Sequence, residues 1–250
     1  MQMTLMKKLS IFFIAVAASS LVEYTEEIRK VLDTKEFRIL FLREDVSLDW
    51  LPDQLLRSRL PTNKLLHKIL LFSDWCIPER VIQAWADNSQ HAMIANAYVT
   101  EELLIVRNCA LEKLEIPFTD PILRDIPLRE RNQFEIDEAG SFIHWPSKDI
   151  DLDFDALRYV VDPQFKKKLD AQRVLFERKF GQAVKKIRES NNLTQADIEA
   201  KAGISERQLR RYETEGIKPR VSSLEKLAKA HNMDLNTYLE KVAVAVNETG

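Results

Sequence analysis

"LTQADIEAKAGISERQLRRYE", Leu193 to Glu213, decides the reading of this 250-residue chain. Thr194 with Asp197, and Ser205 with Gln208, have capping-box spacing: a hydroxyl and a polar side chain three residues on satisfy each other's free backbone amides, which marks two helix starts. Ser222 with Glu225 marks a third in the same way. Gly203 stands where the first of these helices must end in a left-handed turn, a conformation that glycine adopts at little cost. The run therefore reads as two short helices joined by a tight turn.

The second of these helices has an unusual outer face. At about 100° per residue, Leu209 and Tyr212 set the buried direction, and Arg207, Arg211, Arg210 and Thr214 occupy the opposite one, with Glu206 and Gln208 on the flanks. A guanidinium is a planar fork of donors that fits guanine O6 and N7 in the major groove of DNA and clamps phosphates equally well. Thr194 and Gln195 open the preceding helix, whose N-terminal amides suit a phosphate, and Lys218 and Arg220 follow in the next loop. The alternative is a solvated surface helix in which Glu206 pairs with Arg210, or Arg211 with Glu215, at i,i+4 spacing. The surroundings favour the DNA reading. Val184 and Ile187, Ile198 and Ala202, Leu209 and Tyr212, Leu224 to Ala228, and Leu235, Tyr238, Leu239 and Val242 read as the inner faces of five short helices around one small core.

From "FGQAVKKIRESNN" through this run to "LAKAHNMDLNTYL", the chain resembles the Cro and phage-repressor type of helix-turn-helix domain, also called the xenobiotic-response-element family. Thr194-Gln195 matches the start of the second helix, Gly203-Ile204-Ser205 the turn, Leu209 and Tyr212-Glu213 the recognition helix, and Pro219 the loop proline. The resemblance implies an all-α, five-helix, lambda-repressor-like domain that binds double-stranded DNA. It implies base or near-base contacts from Gln195, Glu206, Arg207 and Arg211, and phosphate contacts from Arg210, Lys218 and Arg220. Thr194, Ser205 and Gln208 complete the expected DNA-binding set. Two positions depart from the family pattern. Glu199 stands where alanine is usual, and is expected to turn outward with Ala200 taking its place, or else to distort the helix pair. Gly216 arrives one residue late, behind Glu215.

Upstream the pattern is mixed. An amphipathic helix is expected near Val22 to Leu32, a strand over Phe37 to Leu42, and helices over Pro52 to Leu60, Asn63 to Phe72 and Pro78 to Asp87. "HAMIANAYVTEELLIVRN" reads as two strands joined through Thr100 to Glu102, and "QFEIDEAGSFIHW" as a hairpin turning at Glu138 to Gly140. The expectation is an α+β N-terminal domain with an antiparallel sheet, then a linker helix from Pro163 to about Lys179. "CALEKLEIPF" and "RNQFEIDEAGSFIHWPSKDIDLDFDALRYVVDP" resemble bacterial proteins in which a domain of unknown function, the 2442 family, precedes this kind of DNA-binding module. That likeness spans roughly Phe37 to Asp162 and implies an architecture without assigning chemistry.

Charge is sorted along the chain. From Phe165 onward 18 Lys and Arg face 12 Asp and Glu, whereas upstream 19 face 27. Cys76 and Cys109 have no CxxC or zinc spacing and read as buried, reduced thiols. Asp149, Asp151, Asp153 and Asp155 alternate with Ile150, Leu152 and Phe154; lacking the glycine and the terminal glutamate of a calcium loop, they read as an acidic strand edge leading into a helix cap. His91 and His144 have no HxH or HExxH partner, and five glycines leave no phosphate loop or nucleophile elbow. No catalysis, metal or cofactor is expected.

The first residues pull the other way. "MKKLSIFFIAVAASS" has the order of a secretory signal, two lysines before an apolar run ending in small residues, but Leu9 to Ala18 falls short of the roughly 20 residues of a membrane span. A reader of the major groove finds its operator in the cytoplasm, so residues 1–21 are expected to be an extended start or a packed helix, with a membrane anchor as the residual case. The expected parts are thus 1–21, an α+β domain over 22–162, a linker helix over 163–179 and a helix-turn-helix domain over 180–246. Together they describe a cytoplasmic bacterial transcriptional regulator, homodimeric on two-fold DNA sites, whose N-terminal domain serves dimerisation or binds a protein partner or ligand. Its rivals are an antitoxin whose N-terminal domain neutralises a toxin and, remotely, a DNA-targeted hydrolase.

Overall fold

The computed structural model describes residues 4–8, 11–45, 51–61 and 65–248, with side chains from Phe13 onward. The chain divides after Pro163 into two compact units.

The first unit opens with β1 (Thr4–Lys8), β2 (Ile11–Ala17), α1 (Thr25–Leu32), β3 (Phe37–Arg43), α2 (Leu51–Ser58), β4 (Ile69–Phe72) and α3 (Cys76–Ala86). The strands lie in the order β1-β2-β3-β4; β1 runs antiparallel to β2, and β2, β3 and β4 are parallel. Parallel strands are covered on both faces and so read as unbroken apolar runs. Ile14, Val16, Leu40 and Leu42 pack with Ile28 and Leu32 of α1, while Phe13, Ala15, Ile39 and Phe41 pack on the other side with Val81 and Ala84 of α3.

This half corrects the sequence reading in three places. Within the signal-like run Ile11–Ala17 is a strand, buried from Phe13 to Ala17, rather than a packed helix. The helix expected over Asn63 to Phe72 ends in a strand, with residues 62–64 outside the described set. The largely parallel four-stranded sheet stands beside the antiparallel strands that the sequence leads one to expect further on, and of its strands only β3 is expected from sequence. A short apolar run has no period that separates a buried helix from a buried strand, so pairing with distant partners decides. Cys76, expected to be buried, is exposed on the first turn of α3, whereas Cys109 is buried and its thiol is pushed up to about 12 by desolvation.

The rest of this unit is antiparallel. β5 (Ile94–Val99), β6 (Leu103–Asn108) and β7 (Lys113–Pro117) form one three-stranded sheet, and β8 (Glu135–Ile136), β9 (Ile143–Trp145) and β10 (Ile150–Leu152) another. The β5–β6 and β8–β9 hairpins turn where the sequence places them. Gly140 at the second turn has φ +81°, and a Cβ there would run into Ile94 O. Asp149, Asp151, Asp153 and Asp155 are exposed along the β10 edge while Leu152 and Phe154 are buried. Asp153 accepts a hydrogen bond from Ala156 N at 2.6 Å and caps α4 (Phe154–Val161). Among the described residues, no group of three or more His, Cys, Asp or Glu is arranged to hold a metal ion.

The second unit is helical: α5 (Pro163–Ser190), α6 (Gln195–Ala202), α7 (Glu206–Thr214), α8 (Val221–Ala230) and α9 (Leu235–Glu248). α5 runs unbroken past Lys179, where a linker helix was expected to end. Gly181 lies inside it because a Cβ there would meet Tyr212 O and lie 3.1 Å from Glu213 O. Ala183, Val184, Ile187, Ile198, Leu209, Tyr212, Leu227, Tyr238 and Val242 form the core. No described helix is long and apolar enough to cross a membrane.

Candidate DNA-binding surface

Local chemistry sets the two helices at the heart of this unit. Thr194 accepts from Asp197 N at 3.1 Å and Asp197 Oδ2 accepts from Thr194 N at 2.7 Å, a complete capping box whose hydrogen bonds hold the Asp197 carboxyl below its ordinary range. Gly203 closes α6 in the left-handed conformation, φ +62°. Ser205 caps α7 by accepting from Gln208 N at 3.3 Å, but Gln208 does not reciprocate: its amide reaches Tyr212 Oη at 2.5 Å instead. Glu199 turns outward and accepts from Glu206 N at 3.1 Å, so α6 itself supplies a second cap to α7. Ala200 is exposed and does not take its place; the helix pair needs no distortion because position 199 faces the start of α7. Gly216, φ +69°, lets Ile217 N close back on Arg211 O at 3.4 Å. Ser222 is not a cap. Arg220 occupies that position after buried Pro219, and α8 starts one residue ahead of Ser222.

Beneath the surface lies a polar network. Glu213 is 3% exposed; its Oε1 accepts from Arg188 Nε at 2.7 Å, and its Oε2 accepts from Arg188 Nη2 at 3.0 Å and Gln195 Nε2 at 2.9 Å. Arg188 Nη1 donates to Leu193 O at 2.8 Å. One carboxylate therefore joins α5, the start of α6 and α7. The hydrogen bond to Glu213 raises the Arg188 pKa further and keeps the guanidinium charged. Arg188 is not singled out from sequence, and Glu213 only as a matching position of the recognition helix, with no role as a tie between helices. The signal was there: Glu213 lies about 40° from Leu209 on the helical wheel, on the inward side. Near this network His231 stacks on Tyr238 with ring centroids 5.6 Å apart, and burial, then the charges of Lys201, Arg188 and Lys241, lower its pKa below 6.5.

The outward side of α7 is the candidate surface. Ser205, Arg207, Gln208, Arg211, Lys218 and Arg220 line one open groove of about 780 Å³ together with Tyr212, Ile217, Ser222 and Ser223. Tyr212 Oη donates to Ser223 Oγ at 3.2 Å, fixing the floor. Thr194, Gln195, Glu206 and Arg210 do not line it. Thr194, Glu206 and Arg210 are exposed nearby on α6 and α7, whereas Gln195 is half-buried with its amide turned to Glu213. The pairing expected of a solvated helix is present once, from Arg211 Nε to Glu215 Oε2 at 3.3 Å. Both side chains are about half exposed, and such a pair contributes at most about 1 kcal/mol, so a phosphate or base edge displaces it readily.

A tight turn between two capped helices, the second with an arginine ridge, defines a helix-turn-helix module. Residues 184–237 match the family model described as Helix-turn-helix, of the Cro/C1 type and XRE-like, which is DNA-binding and non-enzymatic. Residues 112–160 match the model described as Protein of unknown function (DUF2442), a stretch from β7 to α4 that is narrower than the span expected from sequence. No curated protein matches the chain. The first of these matches supports a DNA-binding helix-turn-helix domain within the second unit.

Proposed function

We propose that the chain is a sequence-specific transcriptional regulator that sets α7 into the major groove of double-stranded DNA. The observation that carries this is the convergence of Arg207, Arg211, Lys218 and Arg220 on one groove whose floor is held rigid by Tyr212 and Ser223. Arg207 and Arg211, on the crest of α7, read base edges; Lys218 and Arg220, in the loop, hold phosphates. Gln195, turned inward onto Glu213, serves as a brace for the α6–α7 pair more than as a base reader. Work on an operator places the protein in the cytoplasm, with the first unit sensing a ligand or partner or supporting dimerisation.

Selection of bound fragments from random duplex DNA by the full chain tests the reading. It should yield one enriched motif with two-fold symmetry. On that motif Arg207→Ala should lose on the order of 1 to 3 kcal/mol and relax base preference, whereas Lys218→Ala should weaken all duplexes alike and lower the salt slope by about 0.9. No enriched motif, or identical behaviour of the two variants, overturns it.

A further inference from the structure

Two arginines are buried among the described residues, and one of them lacks a counter-charge. Arg188, 8% exposed, holds Glu213. Arg80, 9% exposed, stands on α3 and reaches across to the β8–β9 turn. Its Nε donates to Glu138 O and its Nη1 to Ala95 O, both at 3.0 Å. A Cβ on Gly140 would stand 2.7 Å from Arg80 Cδ, so the turn is built around this side chain. Two carbonyls fix the guanidinium in place but cancel no charge. Among the described residues no carboxylate is paired with it and Nη2 has no acceptor, although that nitrogen keeps contact with solvent. Asp74 feels the charge only from a distance, its own carboxylate accepting from Cys76 N at 3.0 Å.

The solvent that Arg80 meets fills a cavity of about 680 Å³ inside the first unit, with Glu79 and Asp87 on the α3 side and Asp137, Glu138 and Ala139 on the side of the turn. Arg80 is the one cation in this lining. A charge withdrawn from water is held by a partner of opposite sign, and the flat fork of a guanidinium fits a carboxylate. The four acids around it exclude a simple anion. Asp87 is engaged by Gln83 Nε2 at 2.7 Å and Asp137 by Ser141 N at 3.2 Å, whereas the side chains of Glu79 and Glu138 are exposed and have no partner among the described residues. A molecule that satisfies both halves carries a carboxylate for Arg80 and an ammonium for Glu79 and Glu138. We propose that this cavity binds a free amino acid or a like small amino-carboxylate, its carboxylate seated on Arg80.

The size is that of an ordinary small-molecule site. Glu138 and Ala139 belong to the stretch that matches the domain of unknown function, and α3 lies before it, so the ligand would bridge the two parts of the first unit. The proposal deepens the operator reading, in which the first unit senses a ligand, and rests on it for that purpose; the binding itself needs no DNA.

Titration calorimetry of the full chain without DNA, against L-lysine and against cadaverine, which is L-lysine without its carboxylate, tests the site. One L-lysine should bind per chain, and cadaverine at least about tenfold more weakly, since a charge-assisted hydrogen bond is lost. An acidic cavity with no role for Arg80 would prefer cadaverine instead. Arg80→Gln should therefore reverse the order of the two ligands, a readout that a merely structural arginine would not move. Glu79→Gln with Glu138→Gln should weaken L-lysine about fivefold. Ala139→Phe, which narrows the cavity and leaves Arg80 in place, should abolish L-lysine binding and keeps the test decisive if Arg80→Gln does not fold. No heat with L-lysine, equal affinity for the two ligands, an unchanged order in folded Arg80→Gln, or full L-lysine binding by Ala139→Phe overturns the site. An enriched duplex motif from a chain that ignores L-lysine would sink this site and leave the operator reading standing; L-lysine binding by a chain with no duplex preference would do the reverse.

Discussion

Glu213→Ala removes the acceptor that Arg188 and Gln195 share. Three hydrogen bonds of 2.7, 3.0 and 2.9 Å are lost at a site where the acid is 3% and the arginine 8% exposed. Removing one partner of a buried pair strands the other charge, at a cost of about 3 to 5 kcal/mol. Arg188 keeps Leu193 O at 2.8 Å and has Glu189 at 3.6 Å, which places the expectation at about 3 kcal/mol. That is a large share of the roughly 4 to 13 kcal/mol typical of a unit this size. All four tryptophans precede Pro163, so tryptophan fluorescence follows the first unit and the far-ultraviolet signal follows the helices of both. In urea, Glu213→Ala should melt part of the helical signal early while the fluorescence midpoint stays in place. Arg188→Met with Glu213→Leu, which buries no lone charge, should recover all but about 1 kcal/mol. A loss below about 1 kcal/mol in the single variant would refute the idea that this carboxylate ties the three helices.

The same unfolding assay reads three further outcomes. Gly181→Ala, which in an exposed helix would add up to about 1 kcal/mol, should here destabilise the second unit by about 1 to 3 kcal/mol, because its methyl is driven onto the backbone of Tyr212 and Glu213. A neutral or stabilising result would mean that α5 and α7 sit farther apart. Gly140→Ala should lower the tryptophan-reported midpoint and leave the second unit's transition alone, since both its φ and its contact with Ile94 O belong to the first unit. His231 is held neutral in the fold, with its pKa below the unfolded 6.5. Acidification from about pH 7.5 to 5.5 therefore lets the unfolded chain take up a proton that the fold refuses, and stability should fall by up to about 1.4 kcal/mol per pH unit below 6.5. His231→Gln should flatten that slope; an unchanged slope would place the proton elsewhere, because the depressed Asp197 and Asp234 carboxyls act only below 3.8.

What could be read from sequence was what is decided locally. Thr194, Ser205 and Gly203 mark their helix ends through bonds to neighbours within a few residues, and the structure makes those bonds. Ser222 failed because Pro219 and Arg220 already set an extended entry, so the helix began before the hydroxyl could cap it. IFFIAVA and ILLF failed for a different reason. Each is apolar throughout, and what makes it a strand is a parallel neighbour more than 20 residues away. The candidate surface was legible as a ridge but not as a groove. Helical periodicity placed Arg207 and Arg211 outward, whereas the enclosure by Lys218, Arg220 and Ser223 depends on where the loop after Gly216 returns.

Formal charge misdescribes that surface. From Glu206 to Glu215 three arginines meet three glutamates, so the recognition segment is neutral by count. The fold sorts them. Glu213 faces inward and is spent on Arg188; Glu206 sits in the first turn, where the helix dipole favours an acid; Glu215 lies beyond the last turn, paired with Arg211. What remains across the middle of the outer face is arginine. The buried acid thus does two things at once: it ties three helices together, and it keeps a negative charge off the face proposed to meet DNA. A lysine-rich helix of the same net charge could not do this, since an ammonium lacks the fork that lets Arg188 hold both oxygens of one carboxylate while a third donor reaches Leu193 O. Replacing Arg188 by lysine should therefore keep the charge and still loosen the position of α7, with the loss appearing first in base preference and only later in affinity for duplex DNA at large.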